Sequence, residues 1–288
     1  MPSDLGRPAT NQLSRGFTLI EVLVVVAIIA LLISILLPSL SRARGQARAS
    51  VCLANLHRLG HASVFYGQQY KVYPPARLKE VYEGGAWVPF VNRYGAKAPR
   101  WQWFFDYGVG PVVNPAGLAT DPDEMTNDLF MCPSLTGQWA RNLRSGAYGI
   151  NYQYLGNSLE KNGDRHVNWP VSESQIKVPL RTVVLADSRG ADEPHGQHTY
   201  ALDPPRLATE AGATRYGPSS ADGPRPYSPV EMRHNERGNV LFADGHAEPL
   251  RTRQLGYGID DAGFAVPDAP GAGNHLWTGK GTDRTPVP

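Results

Sequence analysis

FTLIEVLVVVAIIALLISILL, residues Phe17 to Leu37, is an unbroken apolar run of about 21 residues with one ionisable side chain, Glu21. As an α-helix, a run of this length matches a hydrocarbon core about 30 Å thick and predicts a membrane span. A cleaved secretory signal has a shorter apolar run that ends in small residues at an A-x-A-like site. No such spacing occurs near Pro38, so the run is expected to stay in the mature chain. A carboxylate inside it is costly, about 2.5 to 3.5 kcal/mol on insertion scales for Asp, so Glu21 requires a partner or a purpose.

Upstream lies a short polar leader that closes on Ser14-Arg15-Gly16. The contiguous string Arg15-Gly16-Phe17-Thr18-Leu19-Ile20-Glu21 resembles the processing site of type IV prepilins and type II secretion pseudopilins. The resemblance implies that a prepilin peptidase recognises Arg15, Gly16 and Phe17, cuts after Gly16, and methylates the new amino terminus at Phe17. It further implies that Phe17 and Glu21 serve assembly, the buried carboxylate pairing with the terminal amine of a neighbouring subunit. The implied partners are the peptidase, other pilin or pseudopilin subunits, and the inner (cytoplasmic) membrane, crossed once with the head in the periplasm or outside. Arg42, Arg44 and Arg48 follow the span and only Arg7 and Arg15 precede it, so the positive-inside rule does not by itself give this orientation. Orientation rests on the resemblance.

The fold expected is α+β and pilin-like: a long N-terminal helix, transmembrane and then stalk, packed on an antiparallel β-sheet head with long loops. The leader is placed at 1–16, the span at 17–37, the stalk helix at 38–72, the head at 73–264 and a tail without structure at 265–288. Along the stalk, Leu40, Ala43, Ala47, Val51 and Ala54 recur at helical spacing. Leu53, Leu56, Leu59, Val64 and Phe65 are expected to pack in the core. Pro38 is placed where it kinks the helix, Gly45 and Gly60 weaken it by about 1 kcal/mol each relative to Ala, and Pro74-Pro75 ends it. Thirty glycines and 25 prolines in 288 residues predict many loops around short strands. The net charge of +2 argues against a nucleic-acid partner, which needs clustered basic residues to neutralise phosphates.

In the head, Thr182 to Ala186 reads as a buried strand stopped by Asp187. Residues 101–107, WQWFFDY, are expected to be a buried amphipathic element. The stretch 192–229, rich in Pro, Gly and Ser, reads as a long surface insertion. Asn235–Gly238 and Asp244-Gly245 supply turns on either side of a strand over 239–243, which His234 and Asp244 would flank. The spacing of His234, nine residues, then Asp244-Gly245 resembles the H-x9-D-G domain that accompanies prepilin-type N-termini in families of planctomycetes and related bacteria. CLANLHRLG at 52–60, YPP at 73–75, FMCPS at 130–134, YGIN at 148–151 and PLRTVVLAD at 179–187 follow that family in order. The head of that family carries no assigned chemistry.

There are two cysteines, Cys52 and Cys132. If they meet, the bond ties the stalk to the head across about 80 residues and contributes about 4 kcal/mol on chain-entropy reasoning; the alternative is two separately buried thiols. No cofactor is expected. Asp187, His234, Asp244 and His246 are candidate ligands for a divalent metal such as calcium if the strands ending at Asp187 and Asp244 converge, although structural turns explain the same residues. His195 and His198 lack the helix and third ligand of a zinc site. No nucleophile elbow, P-loop, CxxC or dinucleotide fingerprint occurs, so the chain reads as a structural pilin-like subunit and not an enzyme. The alternatives are a membrane-tethered extracytoplasmic module that binds a glycan or protein through Trp101, Trp103 and the insertion, and a tethered metallohydrolase using Asp187, His234 and Asp244.

Overall fold

The computed structural model describes residues 18–78, 80–114, 124–135, 141–144, 146–161, 165–188, 200–205, 228–259, 265–266 and 271–283. It divides into two compact units, 1–44 and 45–288, with one helix, α1 (Leu19–Tyr70), contributing to both. In the first unit the helix is apolar on every side and its membrane-length window buries nothing. Leu23, Ile29 and Leu36 are all more than 45 % exposed. The helix passes through Pro38 and stops at Tyr70, where Lys71 adopts a left-handed φ of 61° ahead of the two prolines.

In the second unit the strands are β1 (Glu80–Glu83), β2 (Ala86–Pro89), β3 (Tyr148–Ile150), β4 (Gly156–Lys161), β5 (Arg165–Pro170), β6 (Val183–Asp187), β7 (Gly238–Phe242), β8 (Ala247–Leu250), β9 (Gly258–Ile259) and β10 (Ala265–Val266). The central sheet has the order β3-β6-β7-β8, every pair antiparallel. β1–β2, β4–β5 and β9–β10 form separate two-stranded pairs. The unit is therefore α+β.

The sheet is covered on both faces. On one, Leu185 and Leu241 join Cys52, Leu56, Leu59 and Ala62 of the helix in a core that also takes Trp101, Phe105 and Phe130. On the other, Ala186, Val240 and Phe242 join Leu202, Leu255, Tyr257, Leu276 and Trp277. Helix and sheet approach closely at Gly60: a Cβ there would lie 2.7 Å from both the Gly245 carbonyl oxygen and Leu241 Cδ1. The glycine that weakens the free helix is thus what lets the β7–β8 turn reach it.

The helix continues through Ala47, Val51 and Ala54 as their spacing predicts, with these three exposed, and the buried stripe includes Cys52, Leu56, Leu59, Gly60, Ser63 and Gly67. Three expectations change. Phe65 is 56 % exposed, because it stands about half a turn away from Leu56. Of the insertion 192–229, residues 200–205 and 228–229 are described, and they are threaded inside: Leu202 is fully buried and Ala201 bridges Ile150 in parallel. Finally, 265–288 is not wholly without structure. Gly271–Asp283 lies against the second face of the sheet, with the Leu276 carbonyl accepting from Val183 N at 2.8 Å and Trp277 fully buried. One tryptophan buries enough apolar area to hold a segment with no periodic pattern.

Candidate functional site

At the amino terminus, Arg15, Gly16 and Phe17 lie outside the described residues; the motif is visible from Thr18 onward. Thr18 N and Oγ1 each donate to Glu21 Oε2 at 2.8 Å, and Glu21 N donates back to Thr18 Oγ1 at 3.3 Å. Threonine and a glutamate three residues on form a reciprocal capping box that satisfies donors the first helical turn leaves open. The Glu21 carboxylate therefore has a local hydrogen-bonding partner within its own chain.

In the head, residues far apart in the chain meet at the Cys52–Cys132 disulfide, whose Cα atoms are 5.3 Å apart across a separation of 80. Cys52 comes from the buried stripe of α1 and Cys132 follows the 3-10 turn Asp128–Phe130. Asn127 caps that turn by accepting from Leu129 N, and Asn55 of the helix donates to the Met131 carbonyl at 3.1 Å, which holds the cysteine-bearing loop to the stalk. Tyr148 of β3 brings its hydroxyl to 3.3 Å from the Cys52 carbonyl oxygen. Burial pushes that hydroxyl far above the usual tyrosine range.

Asp187 closes β6 and is fully buried. Its Oδ1 accepts from Arg233 Nη2 at 3.0 Å and its Oδ2 from Asn239 N at 2.7 Å. Arg233 also donates to the carbonyl oxygens of Ser188 and Ala147. His234 follows, held by a two-residue turn in which Asn235 and Glu236 both have positive φ and the backbones of His234 and Arg237 exchange two hydrogen bonds. Its Nε2 lies 3.4 Å from Asp187 Oδ2 and 3.5 Å from Cys132 Sγ. Burial lowers the His234 pKa below the ordinary histidine value, Asp187 opposes that shift, and Arg233 adds to it.

The four residues considered for a metal separate into two pairs. β6 and β7 run antiparallel, with Ala186 opposite Val240 and Val183 opposite Phe242, so the ends marked by Asp187 and Asp244 lie at opposite ends of the sheet. Asp187 and His234 meet at one end. At the other, Asp244 Oδ1 lies 2.5 Å from His246 Nδ1, whose ring stacks on Phe242. About four strand residues, roughly 13 Å, separate the pairs. The donor set at Asp187 does not suit a hard divalent cation either, because a guanidinium and an amide N–H already engage its two oxygens. The three residues raised for a metallohydrolase are divided by the same strand. Trp101 and Trp103 are 1 % and 5 % exposed, so neither offers a face for stacking on a ligand, and Trp101 Nε1 donates to the Tyr200 carbonyl.

Sequence reasoning missed Arg233 and Asn239, the two residues that hold Asp187. Their signal was available as a basic residue beside His234 and a polar residue opening an apolar strand. It also missed Asn151, fully buried, whose side chain donates to the carbonyls of Val183 and Trp277 at 2.9 Å each and links β6 to the C-terminal segment.

Residues 11–37 match the family model described as the prokaryotic N-terminal methylation motif. The chain thus carries a prepilin-type amino terminus, and the match ends where the apolar run ends, leaving the head uncovered. No curated protein and no solved structure matches the chain.

Proposed function

We propose that this chain is a pilin-like or pseudopilin structural subunit of a type II secretion or type IV pilus-like system. A prepilin peptidase cuts between Gly16 and Phe17 and methylates Phe17, and the mature subunit stands in the inner membrane with its head on the far side. The observation that carries this reading is the coincidence of the methylation motif at 11–37 with a helix whose membrane-length window buries nothing and contains a single carboxylate. An all-apolar surface of that kind is matched by lipid or by copies of the same helix and not by water. Glu21 is capped by Thr18 within its own chain, and in an assembly its free lone pairs are open to the terminal amine of a neighbour. The pilin-like layout of helix on antiparallel sheet and the head's extracytoplasmic position, where a disulfide persists, belong to the same reading.

Intact-mass analysis and amino-terminal sequencing of the protein from its native membrane, with and without the prepilin peptidase, test it. A mature chain beginning at N-methylated Phe17 is expected, together with a Glu21→Ala variant that is still cut but is lost from cross-linked oligomers. A chain that keeps its leader in the presence of the peptidase rejects the proposal.

A further inference from the structure

The disulfide cluster contains a group that the assembly reading leaves without a role. A disulfide carries no charge and needs no base, yet His234, 5 % exposed, places Nε2 3.5 Å from Cys132 Sγ. In the bonded state the electrostatic partner of the imidazole is Asp187 Oδ2 at 3.4 Å, and the uncharged sulfur adds nothing to that pairing. In the dithiol state the same contact becomes nitrogen against S–H, the arrangement that turns a thiol into a nucleophile.

We propose that His234 is the proton acceptor that activates Cys132 to form the Cys52–Cys132 disulfide, using as oxidant a disulfide donor from outside the chain. Nε2 takes the Cys132 thiol proton, and the thiolate attacks one sulfur of the donor disulfide. A Cys132–donor bond forms and the donor's second sulfur leaves as a thiolate. Cys52 then gives its proton to that expelled sulfur and attacks Cys132 Sγ. The Cys52–Cys132 bond forms while the Cys132–donor bond breaks, and the departing donor sulfur takes the proton held on His234. Two electrons and two protons pass from the cysteine pair to the donor, and the imidazole ends neutral.

Three features of the cluster fit this role. The charges alternate in contact: thiolate on Cys132, imidazolium on His234, carboxylate on Asp187 and guanidinium on Arg233, so moving the proton from sulfur to nitrogen adds an ion pair to a set that stays neutral overall. Among the described residues, Cys52 and the uncharged Tyr148 hydroxyl belong to the same cluster. His234 is fixed by its turn and Asp187 by Asn239, so the imidazole is held ready. Cys132, 2 % exposed, is among the residues that line a groove of about 550 Å³ bordered also by Val51, Asn55, Met131 and Pro133, and the fully buried Cys52 is not, so Cys132 is the cysteine nearer to an approaching donor.

The test uses the full-length chain in detergent, reduced, freed of reductant and reoxidised with oxidised glutathione from about pH 5.5 to about pH 9, a range spanning imidazole and free-thiol titration. His234→Gln is expected to slow ring closure about tenfold or more near pH 7 and to move the rate profile up to the free-thiol range near about 8.5, with the oxidised variant keeping its melting temperature. An unchanged rate and profile overturn the proposal. Cys52→Ser, which leaves His234 in place, decides the matter even if His234→Gln does not fold. Alkylation of its Cys132 by iodoacetamide is expected to titrate below the ordinary free-thiol value of about 8.5, and a midpoint at or above that value overturns the proposal.

Discussion

The two halves of α1 share a backbone and differ in what surrounds them. From Leu19 to Arg44 the side chains are exposed on every face, Val22, Leu23, Ile29 and Leu36 among them. From Gly45 to Tyr70 a stripe of Cys52, Leu56, Leu59, Gly60, Ser63 and Gly67 is buried while Val51 and Phe65 face out. A helix that is apolar all round is built for lipid or for other helices, and one with a single buried stripe is built for its own head. The difference teaches that hydrophobicity and burial are separate properties: the more apolar half contributes nothing to the folded core, and the less apolar half is part of it.

Substitutions on the two halves test that contrast, from the largest expected effect down. Leu59→Ala, at a fully buried site between helix and sheet, is expected to destabilise the head by about 2 to 5 kcal/mol, read from the denaturant midpoint of the full chain in detergent. A loss below that range would mean that the helix only rests on the sheet. Replacing both cysteines by serine frees the stalk from the Cys132 loop and is expected to cost about 2 to 4 kcal/mol in the same measurement. Gly60→Ala gains helix propensity but drives a methyl group into the Gly245 carbonyl, so a net loss of about 1 to 3 kcal/mol is expected. A gain in melting temperature would show that the close approach is not tight. Ile29→Ala, on the apolar half, is expected to move the head's midpoint by less than about 0.5 kcal/mol. An effect as large as that of Leu59→Ala would erase the distinction between the halves.

Much of the head's arrangement was legible, and the parts that were not share a cause. The strand ending at Asp187 and the turn–strand–turn around β7 follow from period and turn chemistry, which act over a few residues. The burial of Trp101 and Trp103 follows from aromatic density without interleaved basic residues. Phe65 was misread because it is apolar yet stands about half a turn from Leu56, on a side of the helix that stays exposed. Residues 271–283 were misread because Leu276 and Trp277 carry no repeat, and one buried indole is enough to anchor them. The proposed meeting of Asp187 with Asp244 failed because two strands with similar patterns pair equally well in either direction, and the antiparallel choice sends their ends apart.

The sequence by itself determined the membrane-length helix, its lone carboxylate and the prepilin-type processing motif. Each is a property of contiguous residues and of the solvent they meet. Only the tertiary structure decided that Cys52, Cys132, Tyr148, Asp187, Arg233 and His234 share one site, and that β7 keeps Asp244 and His246 out of it. That site joins segments as far apart as the stalk helix and the turn before β7. Such a meeting depends on strand direction and on a helix that packs closely on the sheet, as at Gly60, where a Cβ would lie 2.7 Å from the Gly245 carbonyl oxygen.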